Sequence, residues 1–317
     1  MTNYLHKVLP PQYSHVNKVY CLLAATVFCA LPLCSTEAAA ENILKYDGTT
    51  NIHRNAKPWA AQNEYVGIAI HVQGVDGGYY TDTTEALVLN NQTLNVKGKG
   101  KFVSIINTAQ NKQIDNNGGI YAKGGSTVNF TDVDSIYIAA IAGKEGGNDS
   151  TVISAKDPGR DLKGYTNIVN ISGTTVQLIG SIDVMHSLGS VFFNRNARHT
   201  VNAALSGSDS FWYGSAIGET DERTTVNLSL ADGATWIFNA GKSTLNAGGI
   251  IRNLKLDKGV VLFADAEVWE TYRKTVIKGT DYVLANYRDH NERYSQVEIR
   301  SLTGPGGIFK MDLDWQS

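Results

Sequence analysis

Hydrophobic residues recur along this chain in short runs with alternating polar positions. From Ile43 onward the runs are rich in Val, Ile, Thr, Tyr and Phe and are bounded by Gly, Asn and Asp, which is typical of β-strands. The predicted strands are 65–72, 86–96, 101–106, 126–130, 135–141, 167–171, 176–179, 190–193, 199–205, 224–230, 235–238, 250–256, 260–263, 274–277 and 282–285. Helical periodicity is lacking and tight hairpin dipeptides are few, so the pattern predicts an all-β fold without a meander of hairpins.

A degenerate repeat accompanies the strands: Val or Leu, then Asn, then a small or apolar residue. It occurs at Asn95, Asn129, Asn170, Asn202 and Asn227, which are 34, 41, 32 and 25 residues apart. Variable spacing around a fixed short strand favours a solenoid over a propeller, and we expect on the order of ten coils. The repeated Asn is interpreted as a turn or ladder residue. N-glycan attachment at Asn129, Asn170 or Asn227 is the alternative, disfavoured because these residues lie inside predicted strands.

The first 40 residues have the pattern of a secretory signal peptide. Two lysines and no acidic residue precede an apolar run at 19–33, and Glu-Ala-Ala-Ala at 37–40 predicts cleavage between Ala40 and Glu41. A signal anchor is the alternative, but the apolar run contains a proline and is shorter than the roughly 20 residues of a spanning helix. Lipoprotein processing at Cys34 is also possible, although a bulky leucine precedes it. We therefore expect no transmembrane segment in the mature chain.

Composition and charge restrict the class of protein. The 317 residues are 18% charged with a formal net charge of -2, so there is no electrostatic footprint for nucleic acid or an anionic membrane. The three cysteines, Cys21, Cys29 and Cys34, all lie in the predicted signal peptide. The mature chain is therefore expected to be exported without disulfides, which suits a large β core or passage through an outer membrane in an extended form.

The C-terminal third carries a longer motif. Residues 230–236 read Leu-Ala-Asp-Gly-Ala-Thr-Trp, Ser-Thr-Leu stands at 243–245, and Leu-Lys-Leu-Asp-Lys-Gly at 254–259. This stretch resembles the passenger domain of bacterial autotransporters of the pertactin and AIDA type. Residues 302–309, Leu-Thr-Gly-Pro-Gly-Gly-Ile-Phe, are similar to the opening of the autochaperone region of such passengers. The residues that carry the resemblance, all with structural roles, are Asn227, Gly233, Trp236, Leu254, Leu256, Gly259, Leu302, Gly304, Gly307 and Phe309.

The resemblance implies a right-handed parallel β-helix displayed at the cell surface, as an adhesin and potential virulence factor. The expected organisation is a signal peptide at 1–40, a β-helical passenger at 41–300 and an incomplete autochaperone-like segment at 301–317. The family continues into an outer-membrane β-barrel translocator, and no barrel strands are recognisable in this sequence. We therefore expect a truncated or split reading frame, or a passenger released without its own translocator. The product would lie at the cell surface or outside the cell, or in the periplasm if it is truncated.

Candidate catalytic groups are sparse. Asp132 and Asp134 would share one face of an extended strand, as would Asp312 and Asp314. Paired carboxylates serve lyases and glycosidases, so a carbohydrate-active β-helix remains the alternative function, beside a non-functional fragment of a longer autotransporter. Since no Lys or Arg cluster accompanies either pair, a solvated outer face is the favoured interpretation.

Other motifs do not indicate an enzyme. The histidines at 53, 71, 186, 199 and 290 lack metal-ligand spacing, so we expect neither a metal site nor a cofactor. Gly-Lys-Ser-Thr at 241–244 lacks the first glycine of a phosphate loop. The aromatic runs at 79–80, 192–193 and 211–213 could stack on sugars, but strand alternation favours core packing. The sequence thus predicts a non-catalytic interaction module, with surface receptors or glycans as partners.

Overall fold

The computed structural model describes ten stretches of the chain, all within the compact unit Asn42–Ser317. They are residues 42–49, 65–74, 84–109, 117–141, 151–155, 164–184, 197–218, 222–238, 248–263 and 296–310. Within these stretches the regular structure is entirely β-strand, without a helix. The prediction of an all-β fold is confirmed. The predicted signal peptide and its cleavage site at Ala40 and Glu41 lie outside the described residues.

Seventeen strands occur in the described residues, and every pairing between them is parallel. They are β1 Ile43–Thr49, β2 Gly67–Gly74, β3 Thr84–Asn90, β4 Thr93–Lys97, β5 Phe102–Ala109, β6 Asn117–Lys123, β7 Thr127–Ile141, β8 Thr151–Ala155, β9 Thr166–Ile179, β10 Ser181–Asp183, β11 Arg198–Ser206, β12 Phe211–Gly214, β13 Ala216–Ile217, β14 Thr224–Ala231, β15 Thr235–Phe238, β16 Gly248–Phe263 and β17 Gln296–Lys310.

The strands stack in three faces, which the chain visits in a fixed order. The first face is a five-stranded sheet with the order β13-β10-β8-β6-β3. The second face contains β4, β11, β14 and the beginnings of β7 and β9, together with middle parts of β16 and β17. The third face contains β1, β2, β5, β12, β15 and the ends of the long strands. One passage through the faces is one coil, and successive coils stack in parallel, which is consistent with a β-helix-like solenoid.

Inward side chains form apolar columns that run from coil to coil. Alternate residues of a strand point to opposite sides, so every second residue enters the interior. The members of each column are in register across the parallel pairs. The third-face column is Tyr46, Ile70, Ile105, Ile138, Leu178, Trp212, Trp236, Val261 and Phe309. On the second face it is Val96, Phe130, Ile171, Ala203, Leu228, Leu254 and Leu302. The nine members on the third face span about 38 Å at the strand spacing of about 4.8 Å.

The corners between faces hold the left-handed backbone conformations. In the described residues, every non-glycine with positive φ lies at a corner: Asn91, Asp132, Asp232 and Lys258. The glycines with positive φ lie there as well, including Gly180 and Gly214 between the third face and the next coil. Asn and Asp tolerate this region because their short polar side chains bond to nearby backbone. Residues with positive φ, singly or in adjacent pairs such as Asp232 and Gly233, therefore turn the chain at these corners without hairpins.

The predicted strand boundaries differ from the structure mainly at these corners. The predicted strand 86–96 is two strands, β3 and β4, because Asn91 (φ 54°) turns the chain. Conversely, the predicted strands 126–130 and 135–141 form one strand, β7, with a register shift between Phe130 and Val133. Strands β1, β6, β8, β10, β12, β13 and β17 are not among the predicted strands. The predicted strands 190–193, 274–277 and 282–285 lie outside the described residues.

Candidate functional site

Asparagine side chains form a ladder on the outer side of the second face. Each amide nitrogen donates to the amide oxygen of the preceding coil, at 2.6–2.9 Å. The members are Asn95, Asn129, Asn170, Asn202, Asn227 and Asn253. Their strand neighbours point into the core, so strand alternation directs the amides outward. Of the two predicted roles, turn or ladder, the structure shows the ladder at all five repeated asparagines.

Asn253 is the ladder residue that sequence analysis missed. It pairs with Asn227 in register, and its amide donates to the Asn227 oxygen at 2.6 Å. The repeat phrase requires Val or Leu before the asparagine, and Arg252 stands there instead. Arg252 lies at the corner, where its guanidinium contacts the Glu222 carboxylate at 2.7 Å. The spacing of 26 residues from Asn227, close to the preceding interval of 25, was the available signal.

Small uncharged side chains flank the ladder. In the four coils of β7, β9, β11 and β14, three outward positions per coil carry no charge. These positions, which we name the neutral strip, are Thr127, Asn129, Thr131, Ile168, Asn170, Ser172, Thr200, Asn202, Ala204, Thr225, Asn227 and Ser229. All are half-buried except Ala204, which is exposed. Lys97 and Lys255 stand in the coils before and after the strip.

Charged residues line both corners of the second face. Glu222 and Arg252 pair at the corner with the first face. Asp132, Asp232 and Lys258 lie at the corner with the third face, each with positive φ. Charged residues therefore border the neutral strip at both corners and in the coils before and after it.

The Trp236 part of the predicted motif lies in the core of the third face. Trp236 is fully buried and stacks on Trp212 of the preceding coil. Gly233 makes the corner before it (φ 90°), with its N–H donating to the Lys258 carbonyl at 3.1 Å. Trp212 and Tyr213 are also buried, whereas Phe211 is half-buried on the outer side. The preference for core packing over sugar stacking is thus confirmed at Trp212, which belongs to the core.

The leucines and Gly259 of the motif occupy the next coil. Leu254 and Leu256 are buried, and they stack on Leu228 and Leu230 of the preceding coil. Gly259 is buried so closely that a Cβ atom there would meet the Leu230 side chain and carbonyl. The glycine thus allows the backbones of two coils to approach.

Residues 301–310 of the predicted autochaperone-like segment lie on β17, whose pairing within the described residues is with β16 alone, and residues 311–317 lie outside the described residues. Leu302 stacks on Leu254, yet it is 56% exposed, and Ile308 is 52% exposed. Phe309 is partly buried against the core. Gly304 (φ 107°) and Gly307 both approach backbone atoms of β16. Two large apolar side chains of β17, Leu302 and Ile308, are therefore exposed, and the strand crosses the predicted domain boundary between residues 300 and 301.

Asp132 and Asp134 each make a hydrogen bond to a neighbouring coil. Asp132 has φ 58°, so the backbone is not extended there. The prediction that the two carboxylates share one face of an extended strand is therefore wrong. Its backbone N–H donates to the Ser172 hydroxyl at 3.1 Å. The Asp134 carboxylate accepts the N–H of Gly100 at 3.1 Å and so closes the corner of the preceding coil. Both residues are exposed. The second pair, Asp312 and Asp314, lies outside the described residues.

Two further findings concern metals and membranes. Among the residues that the structure describes, no group of three or more His, Cys, Asp or Glu is placed to hold a metal ion. In the same residues, there is no helix that is long and apolar enough to cross a membrane. The motif at 241–244 and the aromatic runs at 79–80 and 192–193 lie outside the described residues.

Comparison of the chain with protein-family models, with curated proteins and with solved structures found no match.

Proposed function

We propose that this chain is the passenger of an autotransporter-type protein, a right-handed parallel β-helix that is exported and acts as a non-catalytic adhesin or interaction module. The observation that carries the proposal is the in-register stack of parallel coils in which the motif residues have structural positions. Trp236, Leu254 and Leu256 fill the interior, while Gly259 allows close coil contact. The residues that carry the resemblance thus have a physical role in stacking coils.

Export without disulfides fits this kind of structure. Each coil is held by apolar columns and backbone pairing, which form as one coil adds to the next. No covalent cross-link is needed to stabilise such a stack. A chain built in this way can cross a membrane unfolded and form its core afterwards, which supports localisation at the cell surface or outside the cell.

The edge of β17 supports an interaction with further polypeptide at the C-terminal end of the stack. Leu302 continues an interior column but remains half-exposed, and the outer backbone edge of a strand is a template for pairing. We assign this edge to the contact with the autochaperone and, through it, with a translocator.

The carbohydrate-active alternative loses its main support. Asp134 is engaged by the Gly100 N–H, and Asp132 turns the backbone instead of lining a groove. A retaining or inverting glycosidase needs two carboxyl groups facing each other across the scissile bond. A surface that binds without catalysis is therefore the function that we propose.

Expression of the full chain in a Gram-negative host tests the proposal. We expect an exported product that begins at Glu41, checked by N-terminal sequencing, and saturable binding of that product to epithelial or bacterial cells. Retention of the intact chain in the cytoplasm would contradict export. Binding that rises linearly with concentration would contradict an adhesin.

A further inference from the structure

Buried polar side chains line the inside of the corner between the first and second faces. They occupy the same place in four successive coils, those of β7, β9, β11 and β14, and each is at most 4% exposed. The residues are Ser126, Asn167, His199 and Thr224. Because buried polar groups need partners inside the fold, the hydrogen bonds at this corner connect neighbouring coils.

The side-chain amide of Asn167 has a fixed orientation at this corner. Its oxygen accepts the backbone N–H groups of Gly125, at 2.9 Å, and of Ser126, at 3.0 Å. An amide oxygen accepts and an amide nitrogen donates, so a flipped amide would turn its nitrogen toward two N–H donors and lose both bonds. The Asn167 nitrogen therefore lies on the other side, 3.1 Å from Nδ1 of His199.

This contact sets the protonation state of His199. Because the Asn167 nitrogen can only donate, Nδ1 of His199 is the acceptor, and the ring is the neutral tautomer with its proton on Nε2. A proton on Nδ1 would place two donors against each other. It would also add a charge to a side chain that is 0% exposed, where an ion loses its hydration. The contact is therefore compatible only with a neutral imidazole.

Among the described residues, the ionisable groups around His199 do not favour a positive charge on its ring. The strands that β11 packs against are β8, β9 and β14, and these described strands contain no ionisable side chain. The ionisable residues at the corners beside them are Lys123, Tyr165, Arg198, Glu222 and Arg223. Glu222 is exposed and pairs with Arg252 at 2.7 Å. The lysine and the two arginines are cations, so they oppose a further positive charge.

We propose that Asn167 and His199 form a pH-sensitive contact between the coils of β9 and β11, which holds these coils together at neutral pH and breaks when the imidazole binds a proton. A charged ring would have to turn away from Asn167, and the amide would lose a contact that holds it against Gly125 and Ser126. Acid would therefore loosen three successive coils, those of β7, β9 and β11. The contact lies in the stack itself, so this inference goes beyond the proposed function and does not depend on it.

Urea unfolding of the full chain at about pH 7.5 and about pH 5.0 tests this proposal. An unfolded histidine has a pKa of about 6.5. Above that pH the imidazole is neutral in both states, so the contact stabilises the fold fully. Below it the unfolded chain binds a proton that the folded site excludes, so stability falls with pH. One such histidine should raise the unfolding equilibrium constant about 30-fold between the two pH values.

A matched pair of variants separates this contribution from that of other titrating groups. In His199→Gln the glutamine oxygen can accept the Asn167 N–H but does not titrate, so the increase should be about 30-fold smaller than in the unchanged chain. His71→Gln is the control, because the His71 side chain is 40% exposed and lies 3.5 Å from the Asp47 carboxylate. It should retain most of the increase. An equal pH response in His199→Gln and the unchanged chain would overturn the proposal.

Nuclear magnetic resonance of the His199 ring provides a second measurement. Asn167→Asp keeps an oxygen for the Gly125 and Ser126 N–H groups but replaces the donor at Nδ1 with an acceptor, which favours the imidazolium. The His199 signal, assigned by its loss in His199→Gln, should stay constant from about pH 7.5 to about pH 5.5 in the unchanged chain and should titrate in Asn167→Asp. Titration in the unchanged, folded chain would overturn the proposal. If Asn167→Asp does not fold, the signal of the unchanged chain and the unfolding comparison still decide between the outcomes.

Discussion

The indole of Trp236 lies parallel to that of Trp212, with ring centroids 5.1 Å apart and ring planes at 6°. Each indole N–H donates to a glycine carbonyl of the preceding coil: Trp212 Nε1 to Gly180 at 2.9 Å and Trp236 Nε1 to Gly214 at 3.0 Å. The same contact thus repeats in two consecutive coils. It joins an apolar stack to a backbone hydrogen bond, which ties the end of one coil to the interior of the next.

Substitution of Trp236 should destabilise the stack in two steps. Trp236→Phe keeps an aromatic ring but leaves the Gly214 carbonyl without its indole donor, so we expect a loss of about 1–3 kcal/mol in the free energy of unfolding. Trp236→Ala also leaves a cavity and should cost about 3–5 kcal/mol. Urea unfolding followed by far-UV circular dichroism measures both. Phe211→Leu, a half-buried outward residue of the same face, is the control and should cost less than either variant.

The position of an asparagine in the ladder should determine the cost of its removal. Asn202→Ala removes two amide bonds, to Asn170 and from Asn227. Asn95→Ala removes one, from Asn129. At about 0.5–1.5 kcal/mol per hydrogen bond, the interior variant should lose roughly twice as much stability. Denaturant midpoints provide the comparison, and equal losses at the two positions would show that the ladder bonds do not stabilise the stack.

Substitution of Gly304 by alanine should destabilise the protein more than the same substitution at Gly98, which has a similar φ. Gly304 (φ 107°) and Gly98 (φ 96°) both have left-handed conformations. A Cβ atom at Gly304 would collide with the Leu256 carbonyl, whereas one at Gly98 would meet nothing within 4 Å. Gly98→Ala should therefore cost about 1 kcal/mol from backbone strain alone, and Gly304→Ala clearly more. Thermal unfolding of the two variants tests the difference. A similar cost in both would mean that β17 moves away from β16 without penalty.

The exposed edge at β17 should respond to charge differently from the interior. Leu302 and Leu254 are neighbours in one column, but Leu302 is 56% exposed and Leu254 is fully buried. Leu302→Lys should change the free energy of unfolding by less than about 1 kcal/mol and reduce concentration-dependent association, because a lysine on a strand edge opposes pairing. Leu254→Lys should prevent folding, since its charge would be buried unpaired.

Light scattering and thermal unfolding measure these two effects. Unchanged association in the Leu302→Lys variant would mean that the edge is not a pairing surface. If Leu302→Lys were as destabilising as Leu254→Lys, the leucine would instead have to be covered in solution.

Much of the fold could be predicted because the pattern is local. Period-two alternation identifies the strands, and the recurring Asn identifies the face that stacks. Trp212 shows the same logic, since alternation alone placed at least one aromatic of its run in the core. The turns could not be predicted in the same way. Asp132 lies in a run that reads as an extended strand, yet its φ is positive and its N–H donates to Ser172 of the next coil, a contact between coils that the local pattern does not contain.

The ladder illustrates the limit at the level of single residues. Five asparagines share a phrase with their apolar neighbours and were identified from it. Asn253 shares their place but not their phrase, because Arg252 at the corner takes part in an ion pair with Glu222. Asn253 belongs to the ladder because of the register between coils, and a short sequence motif does not contain that information.

The sequence by itself determined the all-β class, the repeated unit and the asparagines that recur in it, because these follow from the alternation and recurrence of residues within single strands. Only the tertiary structure decided which coils are neighbours, which side chains share a column and where neutral surface becomes continuous. The insertions between coils vary in length, so residues such as Asn129 and Asn170, 41 positions apart, become adjacent only after the strands pair. Contacts that depend on pairing across such distances are set by the packing of the whole stack.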